Sequence, residues 1–158
     1  MSGLTVETVS ATLAEYGTAE LVRRNRIRIR TLPEKILVTL KAVQQLLGCD
    51  RLISISCMDT GDTFGLLYHL IGPHRTIISV EIEIPRRSPQ VFTVSDILPP
   101  AGIYERQIHD LFGISFIGHP GLKRLMLNED WPEGEYPLRK DWKPKEETSY
   151  GGIASGAV

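Results

Sequence analysis

The apolar positions recur at two periods, about 3.6 and 2, and their order along the chain predicts helix, hairpin, helix, meander, helix. Thr5 is placed to cap a first helix. Val6, Val9, Leu13 and Tyr16 then recur at helical spacing, and Gly17 stops the run. Residues 18–30 predict a hairpin, with TAELV and RIRIR flanking a polar turn near Arg24 and Asn25. Strict alternation in RIRIR puts Ile27 and Ile29 on a core face and three arginines opposite. Thr31 and Glu34 read as a capping box with Pro33 in the first turn. They open a helix through Ile36, Leu40, Val43 and Leu47 that ends at Gly48.

Three strand-like runs come next: LISISCM (52–58), FGLLYHLI (64–71) and TIISVEIEI (76–84). The links DTGDT and GPHR are too short for anything but antiparallel neighbours, so the runs predict a meander. Ile78, Val80, Ile82 and Ile84 share one face of the third run, and Glu81 and Glu83 the other. Pro85 ends it. RRSPQ reads as a polar loop, and RIRIR and RRSP read as solvated features. After Pro99 and Pro100 a third helix is expected over 102–112, capped by Gly113. Tyr104, Ile108, Leu111 and Phe112 fall on one side, with Glu105, Arg106, His109 and Asp110 on the other.

Beyond Gly118 regular structure is not expected, because Pro120, Pro132, Pro137 and Pro144 remove backbone donors. The final GGIASGAV is flexible unless something holds it. The fold class is therefore α+β: a mostly antiparallel sheet with helices packed on one face over 1–118, followed by an extended C-terminal docking arm over 119–158. With Phe116 just ahead of it counted in, the arm carries Phe116, Leu122, Leu125, Met126, Leu127, Trp131, Tyr136, Leu138 and Trp142. It must bury those groups against its own domain or a neighbour.

Composition narrows the function. The chain has 158 residues, 42% hydrophobic and 23% charged, with a formal net charge of -1. That balance gives no field calling for nucleic acid or anionic lipid. No apolar run approaches the ~20 residues of a membrane helix, and the N-terminus shows neither the basic start nor the apolar block of a signal peptide. Any membrane is met through a partner. Cys49 and Cys57 lack C-x-x-C spacing and read as half-buried thiols in a reducing compartment, with one intrachain disulfide as the alternative. His69, His74, His109 and His119 show no ligand spacing, and nucleotide-binding glycine loops are absent. The chain is expected to carry no cofactor.

Chemistry concentrates between Glu105 and Trp142. Glu105, Arg106, His109 and Asp110 admit three readings: acid–base catalysts, a solvated face with an Arg106–Asp110 pair at i,i+4, or a partly desolvated interface that fixes docking register. His119 lacks companion ligands and reads as a turn histidine bonded to backbone, with Pro120 aiming the arm beyond it. Arg124, Arg139 and Lys140 beside Trp131 and Trp142 could suggest nucleic acid. Glu129, Asp130, Glu133, Glu135 and Asp141 offset that charge. Tryptophan, arginine and tyrosine are also the residues of protein hot spots, which favours a docking strap.

This stretch resembles the signature of the 30 kDa subunit of respiratory NADH:quinone oxidoreductase (complex I, where bacteria call it the C subunit). The family includes counterparts in F420H2 dehydrogenase, the photosynthetic NDH-type complex and membrane-bound [NiFe] hydrogenases. Glu105, Arg106 and Asp110 fit the signature, as do the apolar pair Leu111 and Phe112, and His119 with Lys123, Leu125 and Met126. Gly118-His119-Pro120, Glu129 to Trp131 and Pro137-Leu138-Arg139-Lys140-Asp141-Trp142 are also similar to the family, and Tyr68 to Leu70 more weakly.

The resemblance implies a non-catalytic subunit of a membrane-associated, proton-translocating oxidoreductase, on the cytoplasmic side. It implies packing against the large hydrogenase-like (49 kDa-type) subunit, near the small [4Fe–4S] subunit. Fe–S clusters then belong to partner subunits. The interface candidates are Glu105, Arg106, His109, Asp110, His119, Pro120, Arg124, Trp131 and the run Pro137 to Trp142. The equivalent subunit of an energy-converting [NiFe] hydrogenase is the alternative. A free-standing enzyme using Glu105, His109 and Asp110 stands as a reading of another class.

Overall fold

The computed structural model describes residues 4–145; the terminal GGIASGAV and the arm beyond Lys145 lie outside the described residues. Helix α1 (Val6–Thr12) opens as expected, with the Thr5 hydroxyl accepting the Thr8 N–H at 3.3 Å. It ends at Leu13, a turn before Gly17. Gly17 serves another purpose: a Cβ there would lie 2.3 Å from the Arg30 carbonyl oxygen, so only glycine lets the chain pass β2. Strands β1 (Thr18–Arg23) and β2 (Arg26–Arg30) form the predicted hairpin, and Ile27 and Ile29 are buried.

The capping box does not form. The Thr31 hydroxyl instead donates to the Tyr16 carbonyl at 2.5 Å. A short 3-10 turn at Pro33–Lys35 leads into α2 (Ile36–Leu47), which Gly48 ends in the left-handed conformation.

The meander forms as β3 (Arg51–Asp59), β4 (Thr63–Ile71) and β5 (Ile77–Pro85). Hairpin and meander join into one five-stranded sheet of order β1-β2-β5-β4-β3. The joining pair, β2 with β5, is parallel and sets Ile27 beside Ile78 and Ile29 beside Val80. Local patterning shows each antiparallel unit, whereas this pairing is decided only when α2 crosses over to bury both apolar faces. Phe64, Leu66, Tyr68 and Leu70 of β4 and Ile78, Val80, Ile82 and Ile84 of β5 share one buried cluster with Ile36, Leu40, Val43 and Leu47 of α2. The arginines of RIRIR are tied across strands: Arg28 and Arg30 each reach both Glu20 and Glu81, at 3.1–3.5 Å.

Beyond the meander lie β6 (Gln90–Phe92), α3 (Ala101–Phe112) and β7 (Ser115–Ile117). β6 and β7 pair in parallel, with Val91 opposite Phe116, both buried. These three-residue strands are too short for periodicity to reveal. No helix or strand follows Ile117 among the described residues.

Candidate functional site

Helix α3 positions the site, and its buried stripe is rotated from the expected one. Ala101, Glu105, Ile108 and Phe112, spaced by four, three and four, are the buried positions along the core side. Glu105, placed on the polar side from the sequence, therefore sits inside, with a relative exposure of 0%. It is matched there: Oε1 accepts the Val94 N–H at 2.8 Å, Oε2 accepts the Thr93 hydroxyl, and His119 Nε2 lies 3.9 Å from Oε2. Burial pushes the Glu105 carboxyl above its usual range, against the pull of those two hydrogen bonds. Tyr104 reaches the other way and donates from its hydroxyl to the Ile53 carbonyl at 2.8 Å.

His119 is held at both ring nitrogens. Nε2 bonds the Gly102 carbonyl at 3.0 Å, and Nδ1 accepts the Gly121 N–H at 3.0 Å, which assigns the ring hydrogen to Nε2. His109 Nδ1 bonds the Ile114 carbonyl at 2.8 Å. Each histidine thus braces a backbone turn.

Arg106 and Asp110 turn to the segment after Gly118. Arg106 donates to the Lys123 and Arg124 carbonyls at 3.0 and 2.9 Å. Asp110 is 6% exposed, and its Oδ2 accepts three consecutive N–H groups, from Leu125, Met126 and Leu127, at 2.9, 2.7 and 3.0 Å. Desolvation works against its charge, but the three N–H groups and Arg124 outweigh it and hold the carboxyl below its usual range. Arg124 Nη1 in turn gathers the Asn128, Glu129 and Trp131 carbonyls at 2.8, 3.2 and 2.9 Å.

A second set of fastenings lies further along. The Leu138 N–H donates to the Leu111 carbonyl at 3.2 Å, and Arg139 Nε donates to the Phe112 carbonyl at 2.7 Å. The Arg139 guanidinium lies 5.3 Å from the Phe64 ring centre and 4.5 Å from that of Tyr136. Gly113 makes this approach feasible: a Cβ there would come within 2.4 Å of the Tyr136 ring, and its φ of 73° suits glycine. The Lys140 N–H donates to Asp59 Oδ2 at 2.9 Å, and Arg86 bridges Asp59 to Asp141. Desolvation again opposes the charge of Asp59, and the Lys140 and Gly61 N–H groups with Arg86 hold it low. Trp131 and Trp142 stack with centres 5.8 Å apart, and their ring N–H groups both bond Glu135.

The expected site residues thus fall into two groups, with His109 apart from both on the Ile114 carbonyl. Glu105 and His119 form one buried knot beneath β6. Arg106, Asp110, Arg124, Trp131, Arg139, Lys140, Asp141 and Trp142 fasten the C-terminal segment, with Pro120 and Pro137 within its path. Leu138 keeps its side chain exposed. Arg106 and Asp110 do not pair with each other; each bonds the backbone opposite. Glu105, His109 and Asp110 are engaged by three separate sets of partners, so they present no shared acid–base centre. Sequence reasoning missed Asp59 and Arg86, since a turn aspartate and a polar loop give no sign of pairing across 27 residues. It also missed Thr93, and it took Glu135 only as a balancing charge and Tyr136 only as an apolar group of the arm. Among the described residues no cluster of three histidine, cysteine or acidic side chains could hold a metal, and no helix is long and apolar enough to cross a membrane. Burial, with the neighbouring acids Asp50 and Asp59, pushes the Cys49 and Cys57 thiols up to about 11 and about 12. Neither thiol is a poised nucleophile. The two thiols are free rather than bridged.

Residues 29–148 match the family model of the respiratory-chain NADH dehydrogenase 30 kDa subunit. The chain belongs to this family. It is 34% identical over 121 residues to the C subunit of F420H2 dehydrogenase from Methanosarcina mazei, covering 75% of this chain and 76% of that one. It is 37% identical over 118 residues to the C/D subunit of NADH-quinone oxidoreductase from Phocaeicola vulgatus, covering 73% of this chain and 22% of that one. The NADH-quinone oxidoreductase C subunit of Roseiflexus castenholzii is matched at 37% identity over 58% of this chain and 52% of its own length. The chain therefore spans about half, or less, of these NADH-quinone relatives. Among solved structures, a chain of the archaeal membrane-bound sulfane sulfur reductase superposes with a TM-score of 0.76 at 29% identity, covering 87% of this chain and 84% of that one. A trypsin-resistant fragment (1–134) of Nqo5 superposes with a TM-score of 0.62 at 23% identity, covering 73% of this chain and 97% of the fragment, a likeness of fold.

Proposed function

We propose that the chain is a non-catalytic structural and assembly subunit of a membrane-associated, proton-translocating oxidoreductase of the NADH:quinone or F420H2 dehydrogenase kind. Its body over 1–118 braces the large hydrogenase-like (49 kDa-type) subunit, and the segment from residue 119 onward is the docking strap. The carrying observation is a contrast within that segment. Its backbone is fastened by Asp59, Arg106, Asp110 and Arg139, yet Leu125, Met126 and Leu138 remain 39%, 56% and 52% exposed. An ordered backbone that presents apolar side chains to solvent is a preformed binding surface, and covering it gains about 25 cal/mol for each Å2 of apolar area.

A relative whose name joins the C and D subunits supports a lasting contact between the two. Electrons pass through Fe–S clusters of partner subunits, including the small [4Fe–4S] subunit, and this chain supplies no redox group. It sits peripherally on the cytoplasmic side, reaching the membrane through its partners. A second reading places it in a related archaeal-type complex with another acceptor, an energy-converting [NiFe] hydrogenase included. The 84% coverage of the sulfane sulfur reductase chain favours that breadth.

The test is purification of the tagged chain from gently solubilised membranes, with mass spectrometry of the intact assembly. A large hydrogenase-like subunit in equal amount is expected, and loss of it on deleting 128–158. Recovery of the tagged chain alone, or full recovery of the partner by the truncated form, would contradict the proposal.

A further inference from the structure

The C-terminal segment is attached in a way that differs in kind from the rest of the fold. Between Gly118 and Lys145 only Leu122 packs on the apolar cluster, and it does so half-buried. Arg106 holds the Lys123 and Arg124 carbonyls, Leu138 and Arg139 bond the end of α3 with the Arg139 guanidinium over Phe64, and further ties converge on two carboxylates. Asp110 holds three N–H groups at 125–127, and Asp59 holds the Lys140 N–H with Arg86, which also reaches Asp141. Both carboxylates are themselves shielded, with side-chain exposures of 6% and 2%, so each bond is charge-assisted in a poorly solvated place. Between these two points Arg124 clasps the segment's own carbonyls and Trp131 stacks on Trp142, while Leu138 and Arg139 bond the Leu111 and Phe112 carbonyls.

We infer that residues 119–145 form a strap that unlatches as one unit from a body that stays folded, with the Asp110 and Asp59 carboxylates as its two catches. The body keeps its sheet and helices in the unlatched form, because the apolar cluster is built almost wholly from residues before 118. Arg124 faces Asp110 at 3.8 Å and leaves with the strap, so release costs Asp110 its guanidinium, whereas Arg86 belongs to the body and stays on Asp59. Ties within the strap, Arg124 on its own carbonyls and both indole N–H groups on Glu135, make the segment leave as one piece. This inference rests on the proposed docking role only for its consequence, that a partner engages the latched form and so draws the population toward it. The latch itself is a property of the chain alone.

The experiment uses the full-length chain. Both of its tryptophans, Trp131 and Trp142, lie in the strap, so indole fluorescence and the near-UV dichroism of the stacked pair report the latch. Far-UV dichroism reports the body. On urea titration the tryptophan signals should change before the far-UV signal. In the doubly substituted Asp59→Asn, Asp110→Asn chain the tryptophan transition should move to lower urea, or be complete without urea, with the far-UV midpoint in place. Coincident transitions in the wild type that move together in the variant would overturn the inference. Should the variant fail to fold, hydrogen exchange of the wild type decides. The amides of Leu125, Met126, Leu127 and Lys140 should exchange at least about tenfold faster than those of Tyr68 and Val80 in the central strands. Equal protection would overturn the inference. Failure of the docking role would show in partner recovery and leave these readings untouched.

Discussion

The body and the C-terminal segment are held by opposite means. In the body, interlocking apolar faces of β2, β4, β5 and α2 exclude water, and ordinary side-chain chemistry suffices. In the segment, arginines and aspartates bond main-chain groups directly, and Leu125, Met126 and Leu138 are left outside. A family signature rich in charge need not mark catalysis or even a direct contact with a partner. Here Arg106, Asp110 and Arg139 position a backbone, and that backbone leaves Leu125, Met126 and Leu138 exposed.

That comparison can be broken in graded ways. The largest effect belongs to the body: Leu66→Ala, at a fully buried position, should cost about 3 kcal/mol in urea unfolding followed by far-UV dichroism. Glu105→Ala should cost about 2 kcal/mol by the same measure. It removes the acceptor for the Val94 N–H and the Thr93 hydroxyl, and Glu105→Gln should cost less than half as much. In the segment, Arg139→Lys should cost about 1 kcal/mol. The loss should appear as fading of the tryptophan-pair dichroism with little change in the far-UV melting temperature.

Acid should separate the two regions further. Asp59, faced by Arg86, Lys140 and Gly61, and Asp110, faced by Arg124 and its three N–H groups, have carboxyls held below their unfolded values. Their contribution is full above the ordinary carboxylate range and is lost as pH falls toward the lowered values. Glu105 is raised, so its buried neutral form is favoured and acidification relieves rather than weakens its site. A pH titration should therefore dim the tryptophan-pair signal before the far-UV signal. The smallest effect on stability is expected for Met126→Ser, within about 0.5 kcal/mol for an exposed position, although it should weaken partner capture.

Much of the body could be read from pattern alone. Ile27, Ile29 and the alternation from Ile78 to Ile84 announced their buried faces, and Gly48 and Gly113 ended helices as glycine does. The parallel β2–β5 pairing could not be read, because it depends on two distant faces being covered at once. For the candidate site, the pattern named charged and aromatic residues but not what each of them bonds. A charged residue on a helix looks the same in sequence whether it meets water, a partner or its own backbone. Glu105 joined the buried stripe because the Val94 N–H and the Thr93 hydroxyl lay ready for it, and those partners come from the irregular loop after β6, which shows no period.

The most direct test compares the full chain with a triple variant, Leu125→Ser, Met126→Ser and Leu138→Ser, each tagged and recovered from solubilised membranes. The strap of the variant should remain latched, with its tryptophan-pair dichroism unchanged, while the large partner subunit falls to background. A triple variant that keeps its tryptophan signal and still recovers the partner in full amount would contradict the account.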